Sequence, residues 1–194
     1  MKIITLFILC ILLIYGCNNH FDLNEKVTDS DLILINQDSA IVKYPEFIKN
    51  KIAVIGFIYT NCPDICPMTA HNMQLAEEKL TQDDLDRIKF VLISFDPSRD
   101  TPSILKKYAE VRDLNLNHWV LLTGNEKDIK ILLKEYDVKA FNDDTTFNEK
   151  GEPNYFMIHS DRISLVDAKG NLRKNYRGSV ASPRELSDDI KNLE

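Results

Sequence analysis

Apolar residues in this chain form two kinds of pattern, continuous runs and helical repeats. Three continuous runs, rich in β-branched and aromatic residues, are typical of strands covered on both faces, and they comprise residues 52–59, 90–95 and 119–122. After these runs, apolar residues recur every three or four positions, as they do from Ala70 to Leu80, which predicts helices. The alternation predicts an α/β fold in which helices flank a central mixed β-sheet.

Capping residues and turns place the boundaries of further elements. Three helical repeats are each preceded by a preferred N-cap residue, and these residues are Thr101, Asn125 and Ser182. Apolar segments on both sides of a polar turn predict an N-terminal hairpin over residues 32–42 and a second hairpin over residues 163–176. Residues 141–154 are polar and acidic without periodicity, so we expect a loop there.

The start of the chain has the pattern of a targeting segment. Residues 3–14 are almost entirely apolar, which is shorter than the roughly 20 residues of a membrane-spanning helix but fits a signal-peptide core. The run leads to Cys17 in a segment that resembles a bacterial lipobox. We therefore expect a lipoprotein signal peptide over residues 1–16, a lipidated Cys17 with a polar tether over residues 17–28, and a folded domain over residues 29–194. An uncleaved signal anchor is the alternative, and it would put the domain on the same, extracytoplasmic side of the membrane.

Composition narrows the class of protein. The 194 residues are 44% hydrophobic and 28% charged, which suits one globular domain and excludes low-complexity disorder. The net charge of −6, with basic and acidic residues interleaved, argues against nucleic acid as a partner, because such binding needs clustered lysine and arginine.

Two cysteines of the predicted domain carry the candidate chemistry. Cys62 and Cys66 follow the first buried strand and stand at the start of a helix, which points to a thioredoxin-like arrangement. If the turn is helical, their β-carbons lie about 5–6 Å apart, and the helix N-terminus favours thiolates. Such a pair could cycle between dithiol and disulfide, chelate a soft metal, or form a plain stabilising disulfide. Three residues separate the cysteines, whereas thioredoxin-type reductases have two.

His159 is the candidate third ligand. It lies just before the last hairpin, and in a thioredoxin-like fold the loop that enters this hairpin lies beside the cysteine turn. Two thiolates and one imidazole suit Cu(I) and accept Cu(II), whereas zinc would normally need a fourth ligand. A lone histidine is, however, more often an ordinary surface or core residue. Other soft or nitrogen donors are expected to take no part; these are His20, His71 and His118, together with Met68 and Met73, which are expected to pack on a helix face.

Asp96, Arg99 and Asp100 follow the second buried strand, so we expect them at the same edge of the sheet as the cysteines. Two interpretations remain open for this cluster. The three residues could position the site or a docking partner, or they could cap a helix and stabilise their own loop through an Arg–Asp pair.

Three separated segments occur in the order found in the SCO/SenC family, which this chain resembles from about Leu32 to its C-terminus. The segments are residues 59–67, 96–102 and 155–160. The family comprises copper-handling proteins for the assembly of cytochrome c oxidase. The resemblance implies a thioredoxin-like fold and copper bound by the residues that match Cys62, Cys66 and His159. Many members have an acidic residue directly before the histidine, where this chain has Ile158.

The resemblance also implies two functions for the cysteine pair. The first is a metallochaperone that delivers copper to the binuclear centre in the copper-bearing subunit of cytochrome c oxidase. The second is a thiol-disulfide oxidoreductase, an enzyme that reduces the cysteines of that centre. A redox-sensing role is a third hypothesis, for which the sequence offers no effector region. Further partners would be other copper carriers or thiol reductants, and the lipid anchor would hold the protein at a membrane, facing the periplasm or another extracytoplasmic space.

Overall fold

The computed structural model describes residues 21–27, 31–143, 145–147, 151 and 153–193. The predicted signal peptide, the predicted lipidation site Cys17 and His20 lie outside this part of the chain. No helix among the described residues has the length and apolar character needed to cross a membrane.

The described residues form twelve strands, five α-helices and two short 3-10 helices. The strands are β1 (Glu25–Lys26), β2 (Leu32–Asn36), β3 (Ile41–Tyr44), β4 (Ile52–Ile58), β5 (Ile88–Ser94), β6 (Trp119–Gly124), β7 (Ala140–Asn142), β8 (Thr146–Phe147), β9 (Pro153–Asn154), β10 (Met157–His159), β11 (Ile163–Val166) and β12 (Asn171–Tyr176). The α-helices are α1 (Ile65–Glu77), α2 (Gln82–Leu85), α3 (Pro102–Val111), α4 (Glu126–Glu135) and α5 (Pro183–Lys191), and the 3-10 helices are Glu46–Ile48 and Gly178–Val180.

Eight of the strands form one mixed sheet in the order β1-β12-β11-β4-β5-β6-β2-β3. The three continuous apolar runs are the parallel strands β4, β5 and β6 at its centre, and the remaining pairs in the sheet are antiparallel. Both predicted hairpins are present, as β2–β3 and β11–β12. The prediction of a thioredoxin-like α/β fold with a central mixed sheet is therefore confirmed.

Helix α1 packs closely on strand β4, which sets the position of the cysteine turn. Every residue of β4 is buried. A β-carbon on Gly56 in this strand would come within 2.8 Å of the Met73 sulfur, so a larger residue there would force the Met73 side chain to move. Met73 is fully buried as predicted, but Met68 is 45% exposed, which contradicts the packing role expected for it.

Two local predictions were wrong in part. The segment 141–154, expected to be a loop, contains the end of β7 and the strands β8 and β9, which form two-stranded ribbons with β10 and with each other. These strands are two or three residues long, too short to show a period of two in the sequence. Thr101 stands at the N-cap of α3 without a side-chain capping bond, whereas Asn125 and Ser182 make theirs.

Candidate metal site

The cysteine turn connects the end of β4 to helix α1. Cys62 lies three residues before the helix begins and is partly exposed, whereas Cys66 is in the first helical turn and fully buried. The turn that holds Cys62 is therefore not helical. The backbone N–H of Cys66 nevertheless points at the Cys62 sulfur, at 3.4 Å, so the positive end of the helix faces this sulfur. Neither Cys62 nor Cys66 is part of a disulfide.

The fully buried carboxylate of Asp100 holds the start of the cysteine turn in place. Its two oxygens accept hydrogen bonds from the Thr60 N–H at 3.0 Å, the Thr60 hydroxyl at 2.5 Å and the Ser94 hydroxyl at 2.5 Å. Burial raises the pKa of Asp100, although these hydrogen bonds oppose the shift. Because Thr60 lies two residues before Cys62, Asp100 determines where the turn leaves the sheet.

Asp96 and Arg99 hold the segment that leads to the histidine. The Arg99 guanidinium bonds Asp96 at 2.5 Å, lies 3.6 Å from the centre of the Tyr155 ring, and donates to the Tyr155 carbonyl at 3.1 Å. The Tyr155 hydroxyl completes the cluster by donating to Asp96 at 2.8 Å. The expected location beside the cysteines is confirmed. The Arg99–Asp96 pair of the second interpretation is present, and the contacts to Tyr155 also support the first, in which the cluster positions the site.

His159 ends strand β10, which pairs with β7 rather than with the main sheet. Its Nδ1 lies 2.9 Å from the Ser160 carbonyl, which only accepts, so this nitrogen carries the proton. When the ring is neutral, as metal binding requires, its lone pair is therefore on Nε2, which lies 3.7 Å from the Cys66 sulfur and 4.0 Å from the Cys62 sulfur. Phe95 and Tyr59 pack against the ring, with centroids 4.8 and 5.8 Å away.

The two sulfurs and the imidazole nitrogen lie within 4.8 Å of one another. Among the described residues, this is the only group of three or more histidine, cysteine, aspartate or glutamate side chains that could hold a metal ion. Metal–sulfur and metal–nitrogen bonds of about 2.0–2.3 Å put the ligands of a trigonal site about 3.5–4 Å apart. The distances from Nε2 to the sulfurs already match this spacing. Two soft sulfurs and one imidazole suit a copper ion in trigonal coordination.

The three groups also control each other's protonation. A hydrogen bond with the Cys66 thiol lowers the pKa of Cys62 to about 3 although partial burial opposes this, and the His159 ring adds to the lowering. The same hydrogen bond, together with burial, raises the pKa of Cys66. Burial acts to lower the pKa of His159, but the bonds to Cys62 and Ser160 outweigh it and raise that pKa. Without metal, these opposite shifts in pKa favour a Cys62 thiolate beside a protonated Cys66 thiol, so a metal ion that binds both sulfurs must displace the Cys66 proton.

The other candidate donors lie apart from this cluster. His71 is exposed on α1, and the Nδ1 atom of His118 contacts the Glu77 carboxylate at 3.2 Å. Ile158, the residue directly before the histidine, is 51% exposed, and because side chains alternate along a strand it lies on the opposite face of β10 from His159. The sequence did not reveal that the rings of Phe95 and Tyr59 lie beside His159. An aromatic residue near the end of a strand carries no local signal of the distant side chain that it will contact.

The chain matches the SCO1/SenC family model over residues 22–194. An SCO2-like protein of Rickettsia felis is 33% identical over 183 residues, which cover 91% of this chain and 81% of that protein. The solved structure of Bradyrhizobium japonicum ScoI with copper bound is 28% identical, with a TM-score of 0.71 over 85% of this chain and 98% of the other.

A solved structure of BsSco is described as having a disulfide switch and as a member of the Sco family of cytochrome c oxidase assembly proteins. It is also 28% identical, with a TM-score of 0.66 over 88% of this chain and 94% of the other. The family match spans nearly the whole described chain and includes both cysteines and the histidine that the fold brings together. This chain belongs to the SCO1/SenC family.

Proposed function

We propose that this protein is a copper metallochaperone that delivers copper to the binuclear centre in the copper-bearing subunit of cytochrome c oxidase. The observation that carries the proposal is the convergence of Cys62, Cys66 and His159, whose ligand atoms lie within 4.8 Å of one another. A similar protein has been solved with copper bound, and another belongs to a family of oxidase assembly proteins.

The unequal burial of the three ligands suggests how copper would leave. Cys66 is fully buried, whereas Cys62 and His159 are partly exposed, so an incoming thiolate from the partner has access from the Cys62 side. Three protein ligands leave room for an incoming donor, and the partner's two cysteines can replace this protein's ligands one at a time. Copper then passes by ligand exchange without a free ion in solution.

The test is copper transfer to a defined acceptor. The reduced protein would be loaded with one Cu(I) and mixed with the metal-free soluble copper domain of the oxidase subunit from the same cells. We expect copper to be recovered in the acceptor after separation, with the protein left as the dithiol. Retention of all copper by this protein, under conditions in which the acceptor takes up free copper, would contradict the metallochaperone proposal.

A second candidate function is reduction of the partner's cysteines, and the lowered pKa of Cys62 beside the raised pKa of Cys66 favours it. The Cys62 thiolate would attack one sulfur of the partner's disulfide, forming a mixed disulfide and releasing one partner thiolate. Cys66 would lose its proton and attack the Cys62 sulfur, forming the Cys62–Cys66 disulfide and releasing the second partner thiolate. Two electrons pass to the partner, and His159 is not required for either bond.

We also propose that the domain is tethered to a membrane, on its extracytoplasmic side, through lipid on Cys17. The proposal rests on the apolar run that leads to this cysteine. Replacing Cys17 by serine is expected to release the protein from the membrane fraction or to leave an unprocessed precursor, because the acceptor thiol for the lipid is gone. Cell fractionation and the mass of the mature protein check this. Unchanged mass and membrane association in the variant would indicate an uncleaved anchor instead.

A further inference from the structure

The histidine and the cysteines belong to separately hydrogen-bonded parts of the structure. Cys62 and Cys66 follow β4 of the main sheet, whereas His159 stands on β10, whose backbone pairs with β7 in a two-stranded ribbon. The chain returns to the main sheet only at Ile163, where β11 begins. The backbone ladders of the two sheets therefore do not fix the distance between the imidazole and the sulfurs, and side-chain contacts must do so.

Asp161 makes such contacts just after the histidine. Its Oδ1 accepts a hydrogen bond from the Ser179 N–H at 2.9 Å, and its Oδ2 accepts one from the Ser179 hydroxyl at 2.6 Å. The Thr69 hydroxyl lies 3.2 Å from Oδ1 and shares its one proton between this oxygen and the Ile65 carbonyl at 3.1 Å. Arg177 adds a longer ionic contact of 3.8 Å, and the Asp161 side chain is only 11% exposed. Thr69 is a buried residue of α1, three positions after Cys66.

The junction around this carboxylate is closely packed. A β-carbon on Gly178 would lie 2.7 Å from the Thr69 hydroxyl and 2.8 Å from Asp161 Oδ1, so any larger residue would separate the two. The Gly178 carbonyl also accepts a hydrogen bond from the Asn72 side chain of α1 at 2.9 Å. Helix α1, the 3-10 helix Gly178–Val180 and the exit of the histidine strand are thus joined at one carboxylate.

We propose that Asp161 is a positioning residue for the candidate metal site. Its carboxylate holds the chain that leaves His159 against the helix that carries Cys66, and so keeps Nε2 within reach of both sulfurs. Arg99 and Tyr59 secure the same segment upstream, through the Tyr155 carbonyl and the Met157 N–H, so the histidine is held from both sides. The choice of copper as the probe ion rests on the proposed function.

The test compares Asp161→Ala with Asp167→Ala. Asp167 is a matched control because it is an equally well-bonded, buried carboxylate at the other end of β11, away from the sulfurs. It is 2% exposed and accepts hydrogen bonds from the Lys169 and Asn171 N–H groups at 2.9 Å and from Arg173 at 3.0 Å. Each variant loses the hydrogen bonds that a buried carboxylate accepts from a nearby loop. Only Asp161→Ala is expected to release the segment that carries His159.

We expect Asp161→Ala to weaken Cu(II) binding about 10- to 100-fold, the usual cost of losing a residue that orients a metal ligand, and to shift the sulfur-to-copper absorption band. Asp167→Ala should lower thermal stability while keeping the wild-type Cu(II) affinity and band. In the metal-free protein, the His159 ring should give one set of NMR signals in the wild type and in Asp167→Ala, and broadened or multiple sets in Asp161→Ala. Wild-type Cu(II) affinity and a single set of ring signals in folded Asp161→Ala would overturn the proposal.

A second variant and the NMR signals of the metal-free protein allow a decision even if Asp161→Ala does not fold or the wild-type protein binds no copper. If Asp161→Ala does not fold, Ser179→Ala can be used instead, because it removes only the hydroxyl that donates to Asp161 Oδ2. We expect a smaller loss of Cu(II) affinity and a smaller disturbance of the His159 ring signals. No change in either quantity would also overturn the proposal. If wild-type protein binds no copper, the proposed function fails, but the ring signals of His159 in the metal-free variants still decide whether Asp161 positions it.

Discussion

Serine in place of Cys66 is expected to abolish copper binding without unfolding the protein. A hydroxyl oxygen is a hard, protonated donor, whereas Cu(I) binds soft thiolates, so the buried half of the site is lost. The loss should exceed the roughly 10- to 100-fold cost of removing a residue that merely supports a ligand. Titration of the reduced variant with Cu(I), in competition with a chelator of known affinity, measures the effect, and Cys62→Ser is expected to behave in the same way.

The fold should tolerate this change, which makes the result interpretable. Cys66 is fully buried, and a poorly bonded hydroxyl there costs about 1–3 kcal/mol against a typical stability of about 5–15 kcal/mol. Ala70→Ser is a matched control, since it introduces the same hydroxyl into a fully buried position one turn further along α1. The control should bind copper normally. Near-normal Cu(I) affinity in Cys66→Ser would show that Cys66 is not a ligand.

Most of the fold could be predicted from the sequence because its central strands are long. β4 and β5 have seven residues each, so their apolar, β-branched composition is clear without any structure. The ribbon that carries His159 could not be predicted in the same way. β7 and β10 have three residues each, and they pair across a segment without a periodic pattern. Their position is decided by tertiary contacts, which local patterns do not encode.

Some residues of the candidate site could likewise be recognised from the local sequence, whereas others could not. Cys62 and Cys66 are neighbours in sequence, so their spacing alone indicated a shared site, whereas His159 had to be placed through the expected fold. The sequence left two interpretations open for Asp100 and gave no role for Asp161, because each acts through side chains far along the chain. Asp100 bonds Thr60, and Asp161 bonds Thr69 across 92 residues. The positioning role of a buried aspartate can be recognised only when the groups that donate hydrogen bonds to its carboxylate are known.

The cysteine variants cannot separate the two candidate functions, because copper delivery and disulfide reduction both need the sulfurs. His159→Ala does separate them, and we expect it to weaken Cu(II) binding sharply while Cu(I) affinity falls only modestly. Two thiolates still hold Cu(I) in linear coordination, whereas Cu(II) prefers more donors, including nitrogen. The sulfur-to-copper absorption band should shift or vanish, and the Cys62–Cys66 disulfide should still form. His71→Ala is the matched control, since it removes an exposed histidine of α1 and should change neither affinity nor spectrum.

The outcome in cells then assigns the function. If His159→Ala loses both Cu(II) binding and active cytochrome c oxidase, the metallochaperone proposal is supported, because the imidazole is a copper ligand in that mechanism, whereas in thiol exchange it only helps to lower the pKa of Cys62. If the oxidase is assembled normally with His159→Ala but not with Cys62→Ser or Cys66→Ser, the protein acts as the reductase. An unaltered Cu(II) spectrum in His159→Ala would mean that the ring, although 3.7 Å from the Cys66 sulfur, is not a ligand. The imidazole would then only support the Cys62 thiolate, whose pKa it helps to lower.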